Sequence, residues 1–290
     1  MSNVPSWAVH DDTKREFTVP QTSDIARVGA YPVSIASSIE VWDDYTKTTF
    51  TTHTTDSDFT IYIEPCLVDS LTPLNPIPNL EYTIGKLLGV VSGAYEFVQS
   101  PDCGYDVDIT ITGLEPFIDH QQGLKNFSVR PTEDLSLAGT YPVQVQAQVT
   151  HITDHNKINT QTRTAVISFD ITMIDPCFNS VLDPLDISDM ARSVMQPGII
   201  QQVHPSKDSV SEKYGSRDGF AFCGPRRIKV VGDPSAYNSF LGFDGFTNIM
   251  TVLTNDPNDV GEHKLFMRVY LENYPDVKAA TPFTVTIDHC

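Results

Sequence analysis

Positive charge is scarce in this 290-residue chain: 19 Lys and Arg stand against 37 Asp and Glu, a formal net charge of −18 at pH 7. Phosphate backbones and anionic lipid surfaces repel such a chain, which excludes nucleic-acid binding through a global field. Long apolar runs are missing as well. The longest, Leu87 to Val91 with a glycine inside it, falls far short of the roughly 20 residues a membrane helix needs, so no membrane insertion is expected. Met1-Ser2-Asn3-Val4-Pro5 has neither a basic start nor an apolar core, so it does not read as a signal peptide. That leaves a cytosolic chain, a mature product or a segment of something longer. Catalytic signatures are absent too: there is no G-x-S-x-G, P-loop, H-E-x-x-H or dinucleotide fingerprint, and no C-x-x-C pair. Neither an enzyme nor a resident cofactor is expected.

What is present points to β structure. Hydrophobic residues make up 40% of the chain and charged residues only 19%, enough for a core and unlike a disordered acidic tail. The 20 prolines and the frequent Thr, Val and Ile favour short strands over long helices. The five cysteines are an odd number, and their positions reveal a repeat. Phe59 to Cys66, Ile171 to Cys177 and Phe283 to Cys290 end alike, with closing cysteines at 66, 177 and 290, spaced by 111 and 113 residues. Upstream, Gly29-Ala30-Tyr31-Pro32-Val33 matches Gly139-Thr140-Tyr141-Pro142-Val143, and more loosely Gly261-Glu262-His263-Lys264-Leu265. Further upstream, Glu16-Phe17-Thr18-Val19 matches Asn126-Phe127-Ser128-Val129 and Asn248 to Val252.

Front halves occur only twice. Ile77, Asn79, Leu80, Tyr82 and Ile84 align with Ile187, Asp189, Met190, Arg192 and Val194, and Cys103-Gly104 aligns with Cys223-Gly224. Alternating runs (Tyr141, Val143, Val145, Ala147, Val149; Phe283, Val285, Ile287) are broken by turn signals at Ser92-Gly93, Asp102 to Gly104, Arg217-Asp218-Gly219 and Asn255 to Gly261. The fold expected is all-β, with tandem antiparallel β-sandwiches over 67–177 and 178–290. Residues 1–66 then form the C-terminal half of a module whose front half is absent or supplied in trans. Counted back from the cysteine, apolar residues fall at −3, −5 and −7 in the first and third units. In the second they fall at −3, −4, −6 and −8 (Ile174, Met173, Ile171, Phe169). A one-residue bulge near Met173 and Ile174 is predicted to restore the inward phase. Asp186 to Gln196 reads as a short helix or as a strand, and its alignment to a Thr/Ile-rich stretch favours the strand.

Pro5-Ser6-Trp7, followed by Asp11, Thr13, Arg15, Phe17, Asp24 to Gly29, Tyr31, Val33 and Ile35, resembles the dystroglycan-type cadherin-like domain. Val9-His10 stands where that pattern commonly has Phe, and the later modules offer Pro116-Phe117-Ile118 and Ser239-Phe240-Leu241 in place of the Trp motif. The Asp-Pro-Cys close and Cys-Gly opening also resemble tandem modules of large extracellular proteins from aquatic microbes. The resemblance implies immunoglobulin-like or cadherin-like sandwiches at the cell surface or outside the cell. By itself it selects no function among adhesion, spacing and assembly.

The repeat pairs Cys66 with Cys103 and Cys177 with Cys223, each module-closing cysteine joining the Cys-Gly cysteine of the module that follows. The alternative is five reduced core thiols. Cys290 has no partner in this scheme and is either unpaired or intermolecular. A half sandwich exposes edge strands and an apolar face. The chain is therefore expected to be a segment of a longer tandem array, or to receive strands from a neighbour as a homo-oligomer or filament joined through residues 1–66 and the Cys290 end. The first alternative makes it an adhesion or stalk fragment that binds glycan or protein ligands; the second makes it a subunit of an extracellular fibre.

Smaller signals remain open. His10-Asp11, Asp119-His120, Asp154-His155 and Asp288-His289 read as surface dipeptides, since strand neighbours point to opposite faces. His151 and His155 have metal spacing only on a helix. Calcium is the ligand candidate, through Asp56 and Asp58, through Asp175, Asp183 and Asp186, or through Asp256, Asn258 and Asp259; the same residues also suit Asx turns. Asn126-Phe127-Ser128 is the only N-glycosylation sequon and is expected to face solvent. Tyr45 to Thr55 reads as a Thr-rich hairpin, or as an O-glycosylated or intermolecular edge.

Overall fold

Three times the chain places an aspartate five residues ahead of a glycine: Asp24 and Gly29, Asp134 and Gly139, Asp256 and Gly261. In the computed structural model each aspartate caps a single 3-10 turn, its Oδ1 accepting from the backbone N–H of Ala26, Ser136 or Asn258. Each glycine then opens a long strand. The structure describes residues 4–20, 24–42, 45, 50–204, 206–217, 220–232 and 234–290. Positions 46–49 of the Thr-rich stretch and 218–219 of one turn signal lie outside them.

The first repeat consists of a ribbon, β1 (Val9–Asp11) with β2 (Glu16–Thr18), and a long hairpin, β3 (Gly29–Trp42) with β4 (Phe50–Ile63). The second begins with β5 (Ser70–Pro73), β6 (Leu80–Thr83), β7 (Val90–Val91), β8 (Phe97–Ser100) and β9 (Val107–Thr112). It continues with a ribbon, β10 (Ile118–Gln121) and β11 (Asn126–Val129), and a hairpin, β12 (Gly139–Ile152) and β13 (Thr160–Ile174). The third runs through β14 (Met190–Ser193), β15 (Ile199–Gln202), α1 (Ser209–Tyr214), β16 (Ser216–Arg217), β17 (Phe220–Ala221) and β18 (Arg226–Val231). Its ribbon is β19 (Leu241–Asp244) and β20 (Ile249–Val252), and its hairpin is β21 (Gly261–Leu271) and β22 (Tyr274–Asp288). Ribbon turns recur in the same conformation, with Arg15, Lys125 and Asn248 at φ of 56°, 51° and 54°.

The fold is all-β, and its sheets repeat. One four-stranded sheet has the order β6-β13-β12-β9 and another β14-β22-β21-β18, opposed by three-stranded sheets β10-β11-β7 and β15-β20-β19. β14 runs parallel to β22, while β18–β21 and β21–β22 are antiparallel. These are tandem β-sandwiches with mainly antiparallel pairing. By contacts the chain forms two compact units: Met1–Leu80, Val91–Val129 and Tyr141–Ile171 in one, Glu81–Val90, Arg130–Thr140 and Thr172–Cys290 in the other.

Two sequence expectations meet the structure here. Asp186 to Gln196 contains a strand, β14. The bulge near Met173 is not present: Ile167, Phe169, Ile171 and Met173 are buried in unbroken alternation along β13. The extra residue lies beyond the strand. Ile84 N–H donates to Ile174 O and Val194 N–H to Asp288 O, so residue 174 corresponds to 288. From there Cys177 is three residues on and Cys290 only two. The turn at Pro176–Asn179, capped by Asp175, absorbs the difference.

One glycine is irreplaceable on geometric grounds. Gly113 leaves β9 at φ +82°, and a Cβ there would lie 2.1 Å from Pro142 O. Gly113→Ala is expected to cost about 2–4 kcal/mol of unfolding free energy, read by urea denaturation. Gly93→Ala, with open space around it, should change it by less than about 0.5 kcal/mol.

Candidate functional site

Cys66 is disulfide-bonded to Cys103, and Cys177 to Cys223, with sequence separations of 37 and 46. Cys103 is buried with Val68, Leu71, Ala147 and Val149, and Phe97, Tyr105, Val107 and Ala165 pack against that cluster. Each bond therefore joins the strand end of one repeat to the interior of the next. Cys290 is free and exposed, its thiol donating to Val194 O at 2.9 Å.

The first repeat presents the same inner face as the others but does not cover it. Subtracting 110 from the buried row Val143, Val145, Ala147, Val149 gives Val33, Ile35, Ser37 and Ile39. Val33 is buried, but Ile39 is 63% exposed where Val149 is 0%. On the facing strand Phe59 is 36% exposed where Phe169 is 3%. The aromatic contacts are the same: Phe17–Phe59 centroids are 5.2 Å apart and Phe127–Phe169 5.1 Å. In the second repeat Tyr95, from the front half, closes over Phe127 at 5.9 Å. Among the described residues, no strand pairs with the outer edge of β3 or β4.

Side-chain contacts join successive repeats. In the first unit His155 Nδ1 lies 3.4 Å from Glu64 Oε1, its ring packs on Tyr62 at 4.9 Å, and Lys157 Nζ donates to Ala26 O at 3.2 Å. In the second unit Tyr274 OH donates to Asp175 Oδ2 at 2.7 Å and the Tyr274 ring packs on Phe178 at 5.0 Å. Four of the aspartates considered for calcium are engaged in similar local bonds. Asp58 accepts from Ser34 Oγ, Asp175 caps its turn, Asp256 caps another, and the buried Asp259 accepts from Ser239 Oγ and Thr254 Oγ1. Among the described residues no three His, Cys, Asp or Glu side chains converge on a metal-sized site. Asn126 is half-buried at the start of β11, its Oδ1 buried and without a partner, while Phe127 points inward.

Two histidines have roles that alternation alone does not reveal. His151 is 1% exposed at the next inner position after Val149 on β12, and both its ring nitrogens are buried. Burial, and then the charge of Arg163, holds its pKa below the usual value. His120 on β10 accepts or donates at 3.0 Å to Tyr95 OH; burial lowers the histidine and raises the tyrosine. With Glu96, Phe97, Val107, Ile109, Ile111, Gln122 and Lys125 this pair lines a cleft of about 520 Å³ between β9 and β10. Elsewhere, burial alone would raise the Asp208 carboxyl at the start of α1. Hydrogen bonds from Ser211, Arg226 and Ser180 outweigh it and hold the pKa low.

Replacing Cys177 and Cys223 together by Ser should cost about 4 kcal/mol from loop-closure entropy, measured by denaturant unfolding. The neutral form of His151 is the one that folds. Its stabilisation is therefore complete above the unfolded pKa, near 6.5, and is lost as pH falls through the lower folded value. The melting temperature should drop from pH 7.5 to pH 5, and His151→Leu should flatten that drop, leaving the part that belongs to His120.

No protein-family model matches this chain, and no curated protein matches it. Among solved structures it is similar to mouse cadherin-23 EC22–24, at 12% identity and TM-score 0.35 over 99% of this chain and 83% of that one. Mouse clustered PcdhgC3 EC1–3 matches at 12% identity and TM-score 0.33, covering 98% and 86% of the two chains. Drosophila N-cadherin EC1–4 matches at 8% identity and TM-score 0.28, covering 99% and 66%.

Proposed function

We propose that this chain is an extracellular, non-enzymatic tandem-repeat protein of dystroglycan-type cadherin-like modules, bounded at 66/67 and 177/178. In this reading residues 1–66 are completed by front-half strands of a neighbouring chain, so that molecules join head to tail in a fibre or surface layer. The observation that supports it is the uncovered inner face of the β3–β4 hairpin. Ile39 stands in water where the equivalent Val149 is wholly buried, and covering such a face is the main gain of sandwich formation. The two disulfides suit an oxidising compartment. Cys290 sits at the closing position, where its partner is the Cys-Gly cysteine of a following front half, and Asn126 is the glycan acceptor.

A second reading, an adhesion or stalk segment whose first module is completed from the same polypeptide, is favoured by chain order. In both complete repeats the front half, β5–β9 or β14–β18, directly precedes its back half. Sedimentation and non-reducing electrophoresis separate the two readings. Assembly in trans predicts concentration-dependent oligomers, a disulfide ladder lost in Cys290→Ser, and a shift toward monomer in Ile39→Lys/Val41→Lys. A monomer at all concentrations, with fast hydrogen exchange along β3 and β4, supports the second reading and removes the first.

A further inference from the structure

We propose that the cleft between β9 and β10 binds an extended peptide that adds as a strand to β9, with alternating branched apolar and basic residues. β9 is the outer strand of the sheet β6-β13-β12-β9, and β10 is the outer strand of β10-β11-β7. Among the described residues nothing pairs with the free edge of β9, so its outward N–H and C=O groups form a ready template for another strand. Register with β12 sets Val107 opposite Val149, Ile109 opposite Ala147 and Ile111 opposite Val145. The three side chains therefore share the inner face, yet all stay partly open.

The third repeat shows what a covered version looks like. Ile228 pairs with Val269 as Ile109 pairs with Ala147, and is only 8% exposed against 39% for Ile109. Between the strands before these positions, the third repeat has a long connection, 203–225, containing α1 and the β16–β17 hairpin. The second repeat has only 92–106, with β8 inside it, between the corresponding strands β7 and β9. The inner face of β9 thus stays open at Ile109, where the third repeat covers the paired position.

The size and chemistry of the cleft narrow the occupant. About 520 Å³ is within the range of ligand pockets, and Phe97, Val107, Ile109 and Ile111 give it an apolar side. The Tyr95–His120 hydrogen bond and the Tyr95 N–H to Lys125 O bond, 2.9 Å, fix the side opposite β9. Alternation sends Asp108 and the preceding Asp106 to the outer face beside the free edge, and Glu96 stands on the rim; Lys125 is the one cation lining the cleft. An added strand whose inward residues are apolar and whose outward residues are basic matches both faces, since opposite charges on neighbouring strands stabilise pairing.

The test uses the full chain and a fluorescein-labelled heptapeptide of alternating lysine and valine. Fluorescence anisotropy should show saturable binding, and the amides of residues 107–112 should exchange more slowly in the complex. Ile109→Arg should weaken binding at least tenfold, and Asp108→Lys several-fold at low salt. Because Asp108 is on the outer surface, that variant tests the site even if Ile109→Arg perturbs folding. An alternating glutamate–valine peptide should bind at least tenfold less tightly. No binding up to about 1 mM peptide, equal binding of the acidic peptide, or protection confined to β3 and β4 would overturn the proposal. The last outcome would trace the affinity to the half module instead.

Discussion

Each sandwich depends on covering the inner face of one long hairpin. β12–β13 and β21–β22 each turn a row of aliphatic and aromatic side chains inward, and burying one such side chain contributes roughly 1.5–3 kcal/mol. The ribbon that precedes each hairpin covers part of that row, and the front half covers the rest. β3–β4 has the ribbon, the Asp-capped turn and the aromatic contact of Phe17 with Phe59, but among the described residues no further strand pairs with it and Ile39 stays exposed. It behaves as a core face displayed to solvent. The other surface of interest follows from the same constraint, since the cleft in the second repeat is a smaller stretch of inner face left open at Ile109.

Equivalent positions do equivalent work with different chemistry. Tyr82 and Arg192 align in the repeat and share no functional group, yet each ties its strand to the loop beneath. Tyr82 OH donates to Lys86 O at 2.6 Å and accepts from Thr132 N–H at 3.1 Å. The buried Arg192 donates to Val252 O at 2.9 Å and to Gln196 O and Thr254 O. Asn79 and Asp189 likewise both accept a backbone N–H, from Asp170 and from Thr284. Tyr31 and His263 both hydrogen-bond the carbonyl four residues back, Arg27 O and Asp259 O. A buried backbone group must find a partner, and the repeat preserves that requirement rather than the side chain that meets it.

Charge is handled locally. The aspartates spread through the loops act mainly as caps, where a carboxylate satisfying a turn N–H needs no second charge. Asp208 is the buried case: at the start of α1, it binds Arg226, Ser180 and Ser211 together and ties the 203–225 connection to β18. His151 is the converse case, a titratable ring at the end of the buried row Val143, Val145, Ala147 and Val149.

The all-β class, the triple repeat and the four cysteines that bond were legible in the sequence, because period-2 alternation, turn residues and recurrent spacing are local signals. Whether His151 lies in the core, or His120 in a cleft with Tyr95, was not legible, because alternation gives a residue's face but not what stands opposite it. The phase slip near Cys177 shows the same limit: the count detected one extra residue, but only the hydrogen bonds of Ile84 and Val194 place it in the turn. Capping roles of aspartate and openness of the β9 edge were likewise decided by tertiary structure, since both depend on which distant strands arrive to pair.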